Sequence, residues 1–313
     1  MNAISTLAGI VGPKNCVTED ADIAPYAVDW RGSWRGRPDA VVKPASVEEV
    51  AGVVRAAGTA GLAIVPAGGR TGLAGAAVPT ANGPASIVLS LERLNRIREV
   101  DARDFSVVAE AGCVVQTVQQ AAAEAGRLFP IQWGAQGTAQ IGGMLSTNAG
   151  GIRTLRWGNA RELVLGLEVV LPDGRVLDDL RRVRKDNSGY ALRHLFIGGE
   201  GTLGIITAAA LRLVPALRNI ESAYVAVPSP DAALSLFARV MASGAEVIGF
   251  ELCARFCMEM AARHGTGLRL PLPATAPWFV MVEIAAAHPS VPLREMLEEA
   301  LSTAIENDEA IDA

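Results

Sequence analysis

Apolar and polar residues alternate along the first third of the chain with two different periods. The stretches at 40–44 and 62–67 are apolar and short, which predicts two strands. Between them, Ser46 is followed three residues later by Glu49, a spacing typical of a helix N-terminus. The apolar positions that share one helical face are Val47, Val50, Val53, Val54 and Ala57. The pattern predicts a β-α-β unit whose second strand ends at a glycine-rich loop, the end at which parallel α/β units tend to bind ligands.

Up to residue 217, segments whose apolar positions have the period of a strand or of a helix are separated by glycine-dense segments. The predicted strands are 85–91, 105–115, 205–215 and a strand–turn–strand over 162–178 that contains Pro-Asp-Gly. Residues 116–126 predict a helix, and the glycine-dense segments 133–143 and 146–151 are predicted to be loops. This part of the chain is therefore expected to be α+β.

The pattern changes after Pro215 and becomes more regular. Strands are predicted at 221–227, 246–252 and 278–285, and helices at 231–243, 254–264 and 292–307. Apart from the additional helix at 254–264, the order is β-α-β-β-α. A split β-α-β motif of this order needs one more strand, so the second part is expected to be an incomplete domain.

Composition narrows the class of protein. The chain has 313 residues, of which 50% are hydrophobic, and a net charge of −5 without any basic block, which argues against nucleic-acid binding. No uncharged apolar stretch of about 18 residues occurs and the N-terminus lacks the features of a signal peptide. The four cysteines form no disulfide framework, and Cys253 and Cys257 are interpreted as core thiols rather than metal ligands. A two-domain cytoplasmic protein is expected.

The segment "PAGGRTGLAGAAVP" at 66–79 is rich in glycine. Gly68, Gly69, Gly72 and Gly75 fall within eight positions. Glycine is favoured where the backbone takes a positive φ or where another group approaches closely. Consecutive N–H groups in such a loop form a concave site for an anion. The segment therefore predicts either an anion-binding loop or an ordinary glycine-rich turn.

A second glycine motif, "GGEGTLG", spells G-x-G-x-x-G through Gly199, Gly201 and Gly204, with Glu221 twenty residues after Gly201. A dinucleotide-binding turn requires a helix after the motif, whereas "IITAAALRLVP" predicts a strand. A Rossmann site is therefore disfavoured. The histidines, His194, His264 and His288, have no metal-pair spacing and are expected on the surface. Many backbone-donor loops with few acid–base groups are typical of a protein whose cofactor performs the chemistry.

Five segments together resemble one enzyme family. They are "DWRGSWRGRPDAVVKPASVEEV", "PAGGRTGLAGAAVP", "GAQGTAQIGGMLSTNAGG", "GNARELVLGLEVVLPDGRVLD" and "RKDNSGYALRHLFIGGEGTLGIIT". In this order they resemble the FAD-linked oxidoreductases of the vanillyl-alcohol oxidase/p-cresol methylhydroxylase type, and most of all their D-2-hydroxyglutarate and D-lactate dehydrogenase branch. The resemblance implies a two-subdomain α+β FAD-binding fold over 37–217, after an N-terminal segment at 1–36. A partial ferredoxin-like α+β substrate cap is implied over 218–313.

The resemblance also implies which residues bind FAD. The first glycine loop is expected to wrap the pyrophosphate through its backbone N–H groups, two further segments to line the rest of the cofactor, and a last segment to close over it. Arg70, Met144 and Gly199 depart from the residues usual in the family, which are Asn, Asn and Ser, so individual polar contacts are expected to differ from those of relatives while the backbone contacts are kept. The implied residues are Pro66, Ala67, Gly68, Gly69, Arg70, Thr71, Gly72, Leu73, Gly75, Gly137, Thr138, Gly142, Gly143, Ser146, Asn148, Ala149, Gly150, Glu200, Gly201, Gly204 and Ile206.

The implied reaction is oxidation of a D-2-hydroxy acid to the 2-oxo acid, with hydride passing to flavin N5 and electrons to a separate protein or quinone. FAD is expected to be non-covalent, because no histidine precedes His194 and Cys113 is assigned to a strand away from the glycine loops. The resemblance is compatible with a homodimer. The alternatives are an FAD-binding fragment or accessory subunit without catalysis, and an NAD(P)-dependent dehydrogenase.

Catalytic residues are not identified by the sequence. The resemblance implies that relatives continue further and there carry a histidine-rich stretch for a base and a divalent metal such as zinc, so this chain is expected to be truncated and inactive alone. A substrate carboxylate calls for Arg or Lys. No such residue in the cap stands out from the sequence.

Overall fold

A computed structural model of the chain describes residues 3–265, 267, 270–272 and 275–313. The chain folds into two compact α+β units. The first runs to Ala149 and resumes over Asn159–Val214, and the second consists of Gly150–Gly158 and Pro215–Ala313. The segment Gly150–Gly158 therefore folds with the second unit, although it lies inside the sequence range expected for FAD binding.

The first half of unit one is built on a four-stranded sheet with the order β1-β2-β4-β3. Strands β2 and β3 both pair with β4 in parallel, as expected of a β-α-β crossover. Its elements are α1 (Ala3–Val11), β1 (Cys16–Val17), α2 (Asp20–Ile23), β2 (Ala40–Val42), α3 (Val47–Ala60), β3 (Ala63–Ala67) and β4 (Ser86–Ser90).

Helix α3 begins and ends as its sequence predicts. The Ser46 side chain accepts a hydrogen bond from the Glu49 N–H, and the Glu49 carboxylate accepts one from the Ala45 N–H. Gly61 ends the helix in the left-handed conformation, at φ 66°. Its buried face of valines and alanines packs on β2 and β4, so the crossover positions the glycine loop that follows β3.

The second half of unit one is built on a five-stranded antiparallel sheet with the order β5-β6-β10-β8-β9. Its elements are β5 (Ile97–Asp101), β6 (Ser106–Glu110), α4 (Val115–Glu124), β7 (Arg127–Leu128), α5 (Ile141–Ser146), β8 (Val164–Val170), β9 (Val176–Asp179), α7 (Arg193–Phe196), β10 (Ile205–Arg212) and, at the boundary of the units, β11 (Val214–Pro215). The predicted hairpin at 162–178 is confirmed.

The structure corrects three predictions in this sheet. The strand predicted at 105–115 ends at Glu110, because Cys113 lies in a turn whose N–H bonds back to Glu110 O. Cys113 is also not remote from the glycine segments, since its carbonyl oxygen accepts the N–H of Ile141. The segment predicted as a loop at 133–143 continues into helix α5. Glycine favours loops by propensity alone, but here close packing on Ala111 holds the helix.

Unit two is a three-stranded antiparallel sheet, with the order β12-β14-β13, covered by two helices on one face. Its elements are α6 (Thr154–Trp157), β12 (Asn219–Val227), α8 (Pro230–Ala242), β13 (Glu246–Ala254), α9 (Arg255–His264), β14 (Trp278–Ala286) and α10 (Leu293–Glu306). The order β-α-β-β-α predicted from the sequence is confirmed. Near the end of the chain, Ile311 donates its N–H to Ala226 and Ala226 donates to Asp312, beside β12.

In the part of the chain that the structure describes, no helix combines the length and the apolar character needed to cross a bilayer.

Candidate functional site

The first glycine loop, residues 66–75, presents an unbroken row of free donors. Within the described residues, none of the backbone N–H groups from Gly68 to Gly75 donates a hydrogen bond to the protein. The loop begins where the parallel strand β3 ends. The half-buried N–H groups of residues 68–71 and of Gly75 suit an anionic ligand, because such donors are rarely left unpaired, whereas Gly72, Leu73 and Ala74 are exposed.

The first glycine loop lies directly against the second segment, residues 137–149. A Cβ on Gly69 would be 2.1 Å from the carbonyl oxygen of Thr138, and a Cβ on Gly68 would be 3.4 Å from the backbone nitrogen of Gly143. Glycine at 69 is therefore required by close approach of another backbone. The residues of this loop that have positive φ are instead Arg70, at 52°, and Gly75, at 82°.

The third segment, residues 198–206, contacts both of the others. A Cβ on Gly201, whose φ is 79°, would be 2.6 Å from the ring of Pro66. The N–H of Glu200 donates to the carbonyl oxygen of Ser146 at 2.9 Å. Sequence positions about 130 residues apart thus meet, and the three glycine segments form one continuous surface in unit one.

Backbone strain concentrates on the same surface. Among the described residues, five non-glycine residues have positive φ. Each glycine segment contains one of them: Arg70 at 52°, Asn148 at 48° and Glu200 at 49°. A left-handed conformation costs a residue with a β-carbon roughly 1–2 kcal/mol. Such strain persists where the surrounding structure requires it and is typical of ligand-binding sites.

Gln140 is a site residue that the sequence did not indicate. Its side-chain Oε1 is buried without a hydrogen-bond partner among the described residues, and it would be 3.5 Å from a Cβ on Gly68. A buried acceptor without a partner costs about 1–3 kcal/mol unless a ligand or water supplies a donor. Its signal in the sequence is weak, since a glutamine among glycines is equally compatible with an exposed loop.

The Arg70 side chain stacks on the ring of Tyr26. Its guanidinium carbon lies 4.0 Å from the centroid of the Tyr26 ring. The Tyr26 hydroxyl donates to Glu92 at 2.8 Å, and Lys43 pairs with the same carboxylate at 2.8 Å. Burial alone would raise the pKa of Glu92, but the hydrogen bonds from Lys43 and Tyr26 outweigh it and hold that pKa below its usual value. Arg70 therefore stabilises the base of the loop.

Several predicted residues have packing roles that the structure defines. A Cβ on Gly142 would be 2.8 Å from the Ala111 side chain, and one on Gly204 would be 2.7 Å from that of Val169. The Asn148 side-chain oxygen accepts the N–H of Arg161 at 3.0 Å. Gly150 belongs to unit two.

The G-x-G-x-x-G motif leads into the buried strand β10, which includes Ile206, and not into a helix. This contradicts the Rossmann interpretation, on which the NAD(P) alternative is based. The surface prediction for the histidines is confirmed, because His194, His264 and His288 are all exposed. Among the described residues, no three His, Cys, Asp or Glu side chains are grouped as a metal site.

The site fits FAD on three independent observations. A continuous row of free N–H groups suits a pyrophosphate, the glycines at 69 and 201 leave no room for side chains between the segments, and Gln140 Oε1 lacks a donor. FAD supplies both the anion and hydrogen-bond donors on its ring systems. The assignment of individual residues to the cofactor remains a prediction.

Comparison with known proteins identifies the domain. Residues 38–179 match the FAD binding domain family. The chain is 42% identical over 269 residues to the D-2-hydroxyglutarate dehydrogenase of Xanthomonas citri pv. viticola, covering 86% of this chain and 56% of that protein. It is 36% identical over 302 residues to the mitochondrial D-2-hydroxyglutarate dehydrogenase of Bos taurus, covering 95% and 55%. The chain thus spans about half the length of the curated relatives that it matches.

Solved structures show the same fold at low sequence identity. Alkyldihydroxyacetonephosphate synthase has a TM-score of 0.79 at 17% identity, covering 99% of this chain and 61% of that chain. p-Cresol methylhydroxylase with substrate bound has a TM-score of 0.71 at 17% identity, covering 98% and 64%. These similarities support the α+β fold assigned from the sequence.

Proposed function

Since the chain belongs to the FAD-linked oxidoreductases of the vanillyl-alcohol oxidase/p-cresol methylhydroxylase type, we propose that it serves the oxidation of a D-2-hydroxy acid, of the D-2-hydroxyglutarate or D-lactate type. The row of free N–H groups from Gly68 to Gly75 carries the cofactor part of this proposal. The names of the relatives that are 42% and 36% identical support the substrate class.

In this proposal the protein binds and orients the reactants. The first glycine loop holds the pyrophosphate, Gly69 and Gly201 allow the segments to close on one another, and Gln140 accepts a hydrogen bond. When bound, the flavin supplies the acceptor for the hydride that leaves the α-carbon, at N5, and the electrons then pass to a separate protein or quinone. The FAD is held without a covalent bond.

The test uses the 313-residue chain loaded with FAD under anaerobic conditions. We expect one FAD per chain, and we expect D-2-hydroxyglutarate or D-lactate to change the flavin absorbance, whereas the L-enantiomers do not. Bleaching would show reduction by this chain, and a spectral shift without bleaching would show binding alone, as the sequence predicts. A colourless protein would contradict the cofactor assignment, and a spectrum unchanged by either D-acid would contradict the substrate class.

A further inference from the structure

The two faces of the unit-two sheet differ in chemistry. On one face, Val225 and Val282 pack with Leu236 of α8 and Leu297 of α10 in a fully apolar core. Side chains alternate along a strand, so the neighbouring residues point to the opposite face. Ser222, Tyr224 and Glu283 occupy that face, and Ser222 is directly across from Glu283 in the ladder. Polar groups therefore gather at the middle of the sheet on the side without α8 and α10.

The segment Gly150–Gly158 brings a positive charge to this polar face. Its short helix α6 packs on β13 within unit two. At Gly249 of β13, a Cβ would be 3.4 Å from Glu283 Oε2 and 3.5 Å from the carbonyl oxygen of Ile152. The residue after Ile152 is Arg153, and Glu283 is the group whose charge acts on its guanidinium. Arg153 and Glu283 thus belong to one cluster, although 130 residues separate them in the sequence.

The cluster is incomplete as a hydrogen-bonded network. Within the described residues, five buried side-chain atoms lack a hydrogen-bond partner, and three of them are Arg153 Nε, Tyr224 Oη and Glu283 Oε2. The remaining carboxylate oxygen of Glu283 accepts only a long bond from Ser222, at 3.4 Å. Burial lowers the pKa of the Arg153 guanidinium and raises that of the Tyr224 hydroxyl. The Tyr224 ring stacks on Phe279, so its hydroxyl is a neighbour on the same sheet face and not a shown contact of the pair. Native proteins rarely leave such groups unpaired, and the unpaired atoms of Arg153 and Glu283 in one cluster call for a polar occupant.

The unpaired atoms have complementary roles. Arg153 offers donors arranged to bind a carboxylate, Glu283 offers an acceptor, and the Tyr224 hydroxyl can do either. A 2-hydroxy acid carries a carboxylate and a donor hydroxyl on adjacent carbons. An acid without the hydroxyl, or with a carbonyl in its place, has nothing to donate to Glu283.

We propose that Arg153 binds the carboxylate of the 2-hydroxy acid and that Glu283 accepts the hydrogen bond of its hydroxyl, so that this pair determines the preference for hydroxy acids over oxo acids. The inference rests on the proposed function for the substrate class. It also gives the preference a physical reason, since the carbonyl oxygen of a 2-oxo acid would face the Glu283 carboxylate and be repelled.

The experiment measures equilibrium binding by calorimetry on the FAD-loaded chain, with D-2-hydroxyglutarate, 2-oxoglutarate and glutarate as ligands. Arg153→Gln is expected to weaken binding of all three acids by about tenfold or more. The reason is that the charge-assisted hydrogen bonds from the guanidinium to the ligand carboxylate are lost. Arg153→Lys is expected to restore part of that loss. Glu283→Ala is expected to bring the affinities for the hydroxy and oxo acids together, while glutarate binding is retained.

Arg156→Gln is the matched control. Arg156 lies in the same short helix and forms an exposed pair with Glu246 at 3.1 Å, so its removal is expected to leave all three affinities unchanged. Thermal midpoints and FAD content are measured on every variant. A lower midpoint for Arg153→Gln with unchanged affinities would overturn the inference and leave the proposed function intact. Absence of binding to the unsubstituted, FAD-loaded chain would overturn the inference together with the substrate class of the proposed function, whereas unchanged affinities in Arg153→Gln overturn the inference alone.

Discussion

Gly69 and Thr138 are in such close contact that a β-carbon on Gly69 would be 2.1 Å from the Thr138 carbonyl oxygen. Two segments nearly 70 residues apart in the sequence meet at this point. Because the clash is with backbone, no rotation of a side chain relieves it. The identity of residue 69 is thus set by the packing of one glycine segment on another.

We expect Gly69→Ala to weaken FAD binding by about tenfold or more, because the loop must shift to admit the methyl group and such overpacking costs about 1–3 kcal/mol. Fluorescence quenching during FAD titration of the apoprotein measures the effect. Gly134→Ala is the control, since residue 134 is outside the set implied to bind FAD, a Cβ there would meet nothing within 4 Å and the backbone has no positive φ. Equal losses in the two variants would contradict the packing argument.

Arg70 provides a second prediction, because its backbone is strained while its side chain stacks on Tyr26. Asparagine tolerates the left-handed conformation and β-branched residues do not. We therefore expect the FAD affinity of Arg70→Asn to stay within about threefold of the native value. The FAD affinity of Arg70→Ile is expected to fall by about tenfold. FAD titration of both variants is the measurement. A large loss for Arg70→Asn would contradict the backbone explanation and assign the effect to the guanidinium, through its stack on Tyr26 or through the cofactor.

The sequence predicted those secondary-structure elements that depend on local periodicity. Helix α3 with its Ser46 cap, the hairpin at 162–178 and the β-α-β-β-α order of unit two follow from spacing, turn residues and caps. The resemblance added the expected role of the three glycine segments in binding FAD. Helix α5 was missed because Gly142 and Gly143 disfavour helices, and its stability comes from packing on Ala111, which the sequence does not display.

The features that the sequence did not predict depend on contacts between segments that are distant along the chain. Glycine is favoured either by a positive φ or by the close approach of another group, and the sequence does not distinguish Gly69, which is approached by the Thr138 carbonyl, from Gly75, which has a positive φ. Gln140 and Arg153 carry no motif of their own, and each becomes notable only because a buried atom lacks a partner. Such residues are found by tracing hydrogen bonds in three dimensions.

A buried carboxylate is expected to make unit one less stable at acid pH. Glu110 is 2% exposed and pairs with Arg96 at 2.9 Å and Arg98 at 3.3 Å. Burial by itself would raise the pKa of Glu110, yet the hydrogen bonds from both arginines hold it below its usual value. A depressed pKa in the folded state adds stability above the unfolded pKa, about 4.3. That stability is lost as the pH falls through the folded value.

Glu110→Gln is therefore expected to make the free energy of unfolding depend less on pH in the acid range. Denaturant unfolding at several values between about pH 3 and 6 measures the slope. We expect the native chain to lose stability more steeply than the variant over this range. The control is Glu298→Gln, whose carboxylate forms an exposed helical pair with Arg294. Parallel profiles for the native chain and Glu110→Gln would contradict the role given to the buried carboxylate.

The last prediction is that acid precipitation releases all of the flavin into the supernatant. Covalent attachment to cysteine requires a thiolate, and burial raises the pKa of Cys113, which is 1% exposed, to about 11. This thiol is therefore protonated at neutral pH, even though its backbone contacts helix α5 next to the glycine segments. The histidine of unit one, His194, is exposed on α7. Absorbance of the supernatant and the pellet, repeated with Cys113→Ala and His194→Gln, is the measurement. Colour in the native pellet that disappears in one variant would identify that residue as an attachment site and would contradict non-covalent binding.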